Sequence, residues 1–195
     1  TNVSDSFTGT DLDRDGEAIT YSITAGNTGG AFTINAATGA ITVATSAALD
    51  FESSPQFDVT IRATEDRLAY SRVITVNLNN LNDNAPSIVD ATVALDENSA
   101  NATAVTNVSD SFTGTDLDRD GEAITYSITA GNTGGAFAIN AATGALTVAS
   151  SAALDFETTP SFTLTVQASD GTLSDTAAIT INLNNLNEAP VAGDD

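Results

Sequence analysis

The sequence contains no cysteine, histidine, methionine or tryptophan. The missing cysteines and histidines exclude thiolate and imidazole nucleophiles, histidine general bases, zinc sites built from those ligands, and disulfide bonds. The side chains that remain for chemistry carry carboxylate, amide and hydroxyl groups. Hard cations such as calcium prefer such an all-oxygen set of ligands.

Positive charge is also scarce, because 26 acidic residues face only 5 basic ones and the formal net charge is −21. All the basic residues are arginines, and there is no lysine. A chain with this charge lacks the cations that a non-specific nucleic-acid binder needs, and anionic membrane surfaces repel it. No apolar run approaches the ~18 residues of a membrane span. We therefore predict no nucleic-acid partner and no membrane insertion in this segment.

The chain is a tandem repeat. The stretch TNVSDSFTGTDLDRDGEAITYSITAGNTGGAF begins at Thr1 and returns unchanged from Thr106. The match then becomes looser and ends with VNLNNLNDNAP in the first copy and INLNNLNEAP in the second. A repeat of this length is too long for a solenoid unit and is typical of a self-contained domain.

Hydrophobic residues within each copy alternate with polar ones. Ile19, Tyr21 and Ile23 set the pattern, which recurs in the short runs 32–34, 41–43, 57–61 and 74–78. Short alternating runs bounded by Gly, Asn or Asp predict β-strands. The fold class is therefore all-β, and we expect antiparallel sandwiches in which one face of each sheet lies in the core.

The two copies differ at their beginnings. The second is preceded by SIVDATVALDENSANATAV, in which Val93 and Leu95 suit a first strand, and the first has no such segment. We predict a repeat without its N-terminal strand at 1–84, a complete repeat at 85–188, and the start of a third at 189–195. We interpret the chain as part of a longer array. The alternative is an open sheet edge that a strand from another molecule fills, which would build a filament.

Acidic and amide residues cluster in short segments such as DLDRDG, LDFE and NLNDNAP. Each segment alone is typical of a solvated turn. In a sandwich, however, strand ends project to two poles, and several of these segments share a pole. Carboxylates this close repel each other at distances shorter than the Debye length of ~8 Å. A calcium ion, which takes 6–8 oxygen ligands, removes that conflict.

The order of these motifs resembles a cadherin repeat over essentially the whole chain. The matching segments of the second copy are Glu97-Asn98, Asp116 to Asp118, Tyr126 to Ile128, Phe137 to Leu146, Leu154 to Glu157 and Ala168 to Asp170, preceded by the linker Asn82 to Pro86. The resemblance implies tandem seven-stranded Greek-key β-sandwiches of the cadherin-like or immunoglobulin-like kind. The Ala-, Thr- and Asn-rich composition is more similar to bacterial cadherin-like domains than to animal cadherins.

The resemblance also implies calcium ions at the junctions between repeats, with ligands from both neighbours. The junction inside the chain would use Asp50, Glu52, the Asn82 side chain, the Asp83 carboxylate, the Asn84 carbonyl, Asp116, Asp118 and Asp170. An upstream junction would use Asp11, Asp13 and Glu65. A downstream one would use Glu97, Asp155, Glu157, Asn187 and Glu188. The additional acids Asp15 and Asp120 are interpreted as solvated.

The function predicted from these features is a calcium-rigidified segment of a bacterial extracellular adhesion protein at the cell surface, acting as a stalk or as a homophilic or filament-forming element. Its partners would be neighbouring repeats and other copies. The alternative is a calcium-dependent carbohydrate-binding module, for which Tyr70 is the one candidate aromatic platform. An enzyme using Asp50 and Glu52 as a glycosidase pair is disfavoured, because calcium ligation explains the same residues.

Overall fold

The protein's structure, a computed structural model, describes residues 9–10, 17–105, 116–118 and 121–189. The chain forms two compact units, Thr1–Leu81 and Asn82–Asp195, so the linker motif Asn82 to Pro86 belongs to the second unit. The regular structure of the described residues consists of β-strands and short 3-10 turns, without an α-helix. The predicted all-β class is confirmed.

The first unit contains five described strands: β1 (Thr20–Ala25), β2 (Phe32–Ile34), β3 (Ile41–Val43), β4 (Gln56–Glu65) and β5 (Leu68–Asn77). Antiparallel pairing gives one sheet in the order β1-β4-β5 and a separate β2–β3 pair. The alternating apolar residues face inward, and the rings of Phe32 and Phe57 meet edge to face with their centroids 5.3 Å apart. The alternation seen in the sequence therefore builds this core.

The second unit contains six described strands: β6 (Ala91–Asp96), β7 (Thr125–Ala130), β8 (Phe137–Ile139), β9 (Leu146–Val148), β10 (Ser161–Ser169) and β11 (Ser174–Asn184). The main sheet has the order β6-β11-β10-β7, and β8 pairs with β9. Leu164 and Val166 on β10 and Ile179 and Ile181 on β11 are completely buried. Burying each such side chain contributes about 1.5–3 kcal/mol.

Strand β6 is the predicted first strand, with Val93 and Leu95 buried in the core. It pairs in parallel with β11, so the expectation of purely antiparallel sheets is wrong for this pair. The first and last strands run in the same direction, and the chain consequently enters this unit at one end and leaves it at the other. We call these ends the incoming pole, where β10 ends and β7 begins, and the outgoing pole, where β6 and β11 end.

A glycine is required where β7 leaves the sheet. Gly131 has a φ of +82°, and a Cβ atom there would overlap the carbonyl oxygen of Thr163. The β7–β10 register shifts between Thr165 and Val166, close to this approach. Only a residue without a side chain lets the two backbones come so near each other.

Candidate metal centre

Glu97 lies at the outgoing pole of the second unit and is buried, with 1% of its surface exposed. Its Oε2 accepts a hydrogen bond from Phe156 N at 2.8 Å, and its Oε1 accepts one from Leu186 N at 2.6 Å. A buried carboxylate is costly unless its oxygens are hydrogen-bonded. These two amides satisfy that need and fix the position of the charge.

Two further carboxylates surround Glu97. One carboxylate oxygen each of Glu97, Asp155 and Glu157 lies within 4.8 Å of the other two. Asp155 is held by Thr158, whose N and Oγ1 donate to its two oxygens at 3.0 and 2.9 Å. Like charges at this separation repel each other by about 1 kcal/mol in water and about 3.5 kcal/mol at an effective dielectric constant of ~20. The arrangement therefore favours binding of a cation.

Amide side chains border this group. Asn185 Nδ2 donates to Glu157 Oε1 at 3.0 Å, and Asn98 Nδ2 donates to Glu188 Oε1 at 2.5 Å. Asn98 has a φ of +59°, a left-handed conformation that asparagine tolerates better than most residues. The sequence reasoning missed Asn185, although it lies in the closing NLNEAP motif. Asn187 is exposed.

Asp118 lies at the incoming pole and has 1% of its surface exposed. Its Oδ2 accepts a hydrogen bond from Asn84 N at 2.9 Å, and its Oδ1 accepts one from Asn84 Nδ2 at 2.6 Å. Burial alone would raise the pKa of Asp118, but hydrogen bonds from Asn84 and Asp83 outweigh it and lower the pKa. The linker is thus tied to the acidic loop through a charged carboxylate.

The loop and linker carry two further predicted acids. Asp116 is half-buried, and its Oδ1 accepts a hydrogen bond from Asp118 N at 3.0 Å. Asp83 is exposed, and its Oδ1 accepts one from Asn84 Nδ2 at 3.0 Å. The Asn84 side-chain amide therefore holds two carboxylates, a contact that the sequence reasoning missed because it considered only the Asn84 carbonyl.

Asp170 and Asn82 lie at the same pole, and each has one buried side-chain oxygen without a hydrogen-bond partner among the described residues. Asp170 Oδ1 accepts hydrogen bonds from Thr172 N and Leu173 N, both at 2.7 Å. The pKa of Asp170 is lowered chiefly by the Leu173 amide, with burial opposing and Thr172 and the nearby Asn82 amide assisting. Asp170 Oδ2 and Asn82 Oδ1 are buried and have no hydrogen-bond partner among the described residues.

The orientation of Asn82 is set by Glu122, whose Oε2 accepts a hydrogen bond from Asn82 Nδ2 at 2.8 Å. Because the amide nitrogen is occupied in this way, its oxygen remains available to a cation. Glu122 is a further residue that the sequence reasoning missed. The signal for it is its place at the end of the acidic DLDRDGE loop.

The first unit repeats part of this arrangement. Asp50 accepts hydrogen bonds from Ser53 N at 3.1 Å and Ser53 Oγ at 2.7 Å, as Asp155 does from Thr158. These bonds lower the pKa of Asp50, the Ser53 hydroxyl having the largest effect. Glu52 is exposed, and Glu65 is half-buried at the end of β4. The predicted ligands Asp11 and Asp13, and the acids Asp15 and Asp120, lie outside the described residues.

Comparison with known proteins identifies both repeats. The family model for the cadherin domain matches residues 4–79 and 91–184. The chain is 37% identical over 162 residues to cadherin EGF LAG seven-pass G-type receptor 2 of Mus musculus, a match that covers 80% of this chain and 5% of that protein. It is 35% identical over 197 residues to protocadherin Fat 1 of Homo sapiens, covering 95% of this chain and 4% of that protein. The chain thus spans only about one twentieth of these relatives.

Solved structures of protocadherin repeats resemble the fold of this chain. A protocadherin gammaB7 EC3-6 cis-dimer structure is 25% identical, with a TM-score of 0.69, and the match covers 86% of this chain and 41% of that one. Human protocadherin-24 EC1-2 is 22% identical with a TM-score of 0.71, over 90% of this chain and 85% of that one, which supports the fold alone. The curated relatives named here are animal proteins, so they do not support the prediction of a bacterial parent.

The part of the chain that the structure describes has no helix long and apolar enough to cross a membrane. The extracellular, cell-surface placement predicted from the sequence agrees with the curated relatives. Cadherin repeats are structural and adhesive domains rather than enzymes, which confirms the prediction that this segment has no catalytic role. The two family-model matches and the relatives together show that this chain belongs to the cadherin family and consists of extracellular repeats of the cell-adhesion type.

Proposed function

We propose that this segment binds calcium at the poles of its two units and that the ions stiffen it as part of an extracellular adhesion protein. The observation that carries the proposal is the group formed by Glu97, Asp155 and Glu157, whose carboxylate oxygens lie within 4.8 Å of one another. Glu97 is buried there and held by backbone amides. A divalent cation is the partner that such a group needs.

The chemistry of the ligands favours calcium over other metals. Zinc sites use cysteine and histidine, which are absent from the sequence. Magnesium demands a compact octahedral shell and retains several water molecules, whereas calcium takes 6–8 carboxylate and carbonyl oxygens in flexible geometry. The buried Asn82 Oδ1 and Asp170 Oδ2, which have no hydrogen-bond partner among the described residues, are oxygens of the kind that calcium accepts.

The proposed ligands follow the sequence predictions. At the outgoing pole of the second unit they are Glu97, Asp155, Glu157, Asn187 and Glu188. At its incoming pole they are Asn82, Asp83, Asn84, Asp116, Asp118 and Asp170. The first unit would supply Asp50 and Glu52 to the junction with the second, and Asp11, Asp13 and Glu65 at its other end.

Calcium would act on the linker as well as on the sandwiches. Without the ion, carboxylates at each pole repel one another, and this repulsion opposes the hydrogen bonds from Asn84 to Asp118 that hold the linker Asn82 to Pro86. Bound ions remove the repulsion and fix the linker, so the segment would serve as a stiff spacer or adhesive element. Self-association between copies is part of this proposal, and the cis-dimer structure of protocadherin gammaB7 supports it by relationship.

The alternative and the bacterial origin have weaker support. Tyr70 is 68% exposed, but a single tyrosine is a small platform for a sugar ring, and no relative described above is a carbohydrate-binding module. The bacterial parent remains a prediction from composition.

The test is a calcium titration of the full chain by isothermal titration calorimetry, together with X-ray scattering in EDTA and in millimolar calcium. We expect binding at ~10⁻⁴–10⁻³ M, as in extracellular calcium modules, and a narrower distribution of shapes when calcium is present. Magnesium at equal ionic strength is the control for screening. Absence of binding heat, with the same scattering profile in EDTA and in calcium, would overturn the proposal.

A further inference from the structure

The two units are nearly identical in one part of their sequence and have diverged in the rest. Residues 20–52, which contain β1 to β3, differ from 125–157, which contain β7 to β9, at only three positions. These are Thr33 against Ala138, Ile41 against Leu146, and Thr45 against Ser150. We call β1–β3 and β7–β9 the two modules, and the strand pairs β4–β5 and β10–β11 the two hairpins. In each unit the core lies between one module and one hairpin.

Each module meets its own hairpin in the same way. Ser22 on β1 lies opposite Arg62 on β4, and Ser127 on β7 lies opposite Gln167 on β10. Both units have the same register shift near the end of this pairing, the same two threonine hydroxyls donating to hairpin carbonyls, and the same edge-to-face pair of phenylalanines. These contacts use backbone atoms and a phenylalanine that the two hairpins have in common, so neither hairpin distinguishes between the modules.

The buried faces of the two hairpins also occupy the same volume. Where β4 places Val59 and Ile61 in the core, β10 places Leu164 and Val166. Each pair of side chains contains the same number of carbon atoms. Exchanges that conserve volume in this way are the ones that a packed core tolerates best. Each module would therefore pack nearly as well on the other hairpin as on its own.

We propose that the chain has a second folded form in which the modules are exchanged, with β1–β3 packed on β10–β11 and β7–β9 packed on β4–β5. Strand β6 keeps its place beside β11. The module–hairpin connections, 44–55 and 149–160, each have 12 residues. Such a connection reaches about 40–43 Å when extended, more than the ~36 Å of the longest strand, β11. The longer connection 97–124 allows β7 to leave the second unit.

The exchanged form is less stable than the native one. Leu154 lies in the second of these connections and is completely buried, and its counterpart Leu49 is half-buried. Stretching the connections would remove both side chains from the core, which lowers the equilibrium population of the exchanged form by about tenfold or more for each leucine. We therefore expect it as a minor product of folding, which persists because both units must unfold before the modules can return.

The exchange changes how the chain connects its two units. In the native form the chain passes from one unit to the other once, at the linker. In the exchanged form it passes between them on leaving each module, on leaving the first hairpin and on leaving β6. Tension on the ends would then act on connections that hold the two units to each other, and the segment could not serve as an extended spacer. This inference does not depend on calcium binding.

The test traps the exchanged form with a disulfide bond, since the chain has no cysteine of its own. In that form position 22 would lie opposite position 167, as position 127 does in the native second unit. The full chain carrying Ser22→Cys and Gln167→Cys is unfolded in urea, refolded with a reductant at low micromolar concentration, and only then oxidised. Mass spectrometry after proteolysis locates the disulfide bonds.

Two matched variants serve as controls. Ser127→Cys with Gln167→Cys reports the yield for a pair that is opposed in the native form. Ser22→Cys with Thr163→Cys reports chance collisions between folded units, because residue 163 is exposed on the same face of β10, about 13 Å along the strand from residue 167.

We expect a disulfide between positions 22 and 167 in a minor fraction of monomeric chains. Its yield should exceed that of the 22 and 163 pair by about tenfold or more, because cysteines whose Cα atoms are over ~7 Å apart are not bridged without backbone movement. The fraction should not change with protein concentration, since the exchange takes place within one chain.

A high yield in the 127 and 167 control, without any monomeric disulfide between positions 22 and 167, would overturn the proposal. Equal yields for the 22 and 167 pair and the 22 and 163 pair would show collisions between native units and would also overturn it. Disulfides that join two chains and increase with protein concentration would assign the exchange to a second copy, contrary to the proposal.

Discussion

Replacing Glu97 with glutamine tests the outgoing pole most directly. Glutamine keeps the length and shape of the side chain but removes one of three charges that lie within 4.8 Å of one another. In EDTA the loss of repulsion favours the folded variant. The glutamine amide, however, can accept only one of the hydrogen bonds from Phe156 N and Leu186 N. A buried N–H without an acceptor costs about 1–3 kcal/mol, so the two effects oppose each other.

The quantity to compare between the variants is therefore the increase in the free energy of unfolding that calcium causes. A site with a Kd of ~10⁻⁴ M at ~10 mM calcium raises the free energy of unfolding by about 2.7 kcal/mol. If losing one carboxylate weakens the site about tenfold, the same calcium adds only about 1.4 kcal/mol. The difference of about 1.3 kcal/mol corresponds to about 5–10 °C in Tm for a domain of roughly 100 residues.

The assay is differential scanning calorimetry of the full chain in EDTA and in calcium. The matched control is Asp96→Asn, which removes one charge from the neighbouring residue, whose Oδ1 accepts a hydrogen bond from Asn184 Nδ2. We expect the control to retain the calcium-induced rise in Tm and Glu97→Gln to lose about half of the part that the outgoing-pole site contributes. The same calcium-induced rise in both variants and in the parent chain would refute the assignment of Glu97 as a ligand.

Three other substitutions test the incoming pole, the core and a backbone turn. Asp118→Asn should lower both calcium affinity and Tm, because an asparagine can accept only one of the two hydrogen bonds from Asn84; an unchanged calorimetric titration would contradict this. Leu164→Ala should lower the free energy of unfolding in urea by about 2–5 kcal/mol, because Leu164 is completely buried. The native variant should still bind calcium, because Leu164 lies in the interior of β10. Gly131→Ala should destabilise the second unit more than Gly135→Ala, because both have positive φ but only at Gly131 does the added Cβ overlap a carbonyl oxygen; equal Tm values for the two variants would be inconsistent with that geometry. The strain common to both is about 1–2 kcal/mol.

Much of the fold follows from local patterns in the sequence. The alternation of Phe162, Leu164 and Val166 predicts both the strand and its buried face, and the structure has all three in the core. Val93 and Leu95 predict the first strand of the second repeat for the same reason. Such patterns succeed because the period of two in a strand directs alternate side chains to one face of the sheet.

The direction and neighbours of a strand are not encoded in that period. Nothing in ATVALD distinguishes the observed parallel pairing with β11 from an antiparallel one. Ile74 and Ile179 lie in almost the same sequence, yet one is half-buried and the other completely buried. Burial depends on which strand lies alongside, and that strand is distant in sequence.

The candidate metal site was likewise predicted only in part from the sequence. Motif order places Asp118 and Glu97 among the acidic groups, and the structure has both buried and hydrogen-bonded. The partners that orient them are backbone amides and the side chains of Asn84 and Glu122. These partners were missed because backbone amides have no residue-specific signal and an asparagine in a turn is common for local reasons.

The parallel pairing of β6 with β11 also explains why the acidic motifs matter mechanically. Since the first and last strands run in the same direction, the chain enters the second unit at one pole and leaves at the other. Asp118 and Asp170 lie at the first of these poles, and Glu97 and Asp155 at the second. An ion bound at either pole therefore acts where the chain passes into or out of the sandwich, and the core strands lie between the two sites. For this reason we expect loss of calcium to make the linker more flexible before it loosens the packing around Leu164 and Ile179. Exchange rates at Asn82 to Asn84 that rise on chelation while those of β10 and β11 stay constant would agree with this order, and simultaneous loosening of both would contradict it.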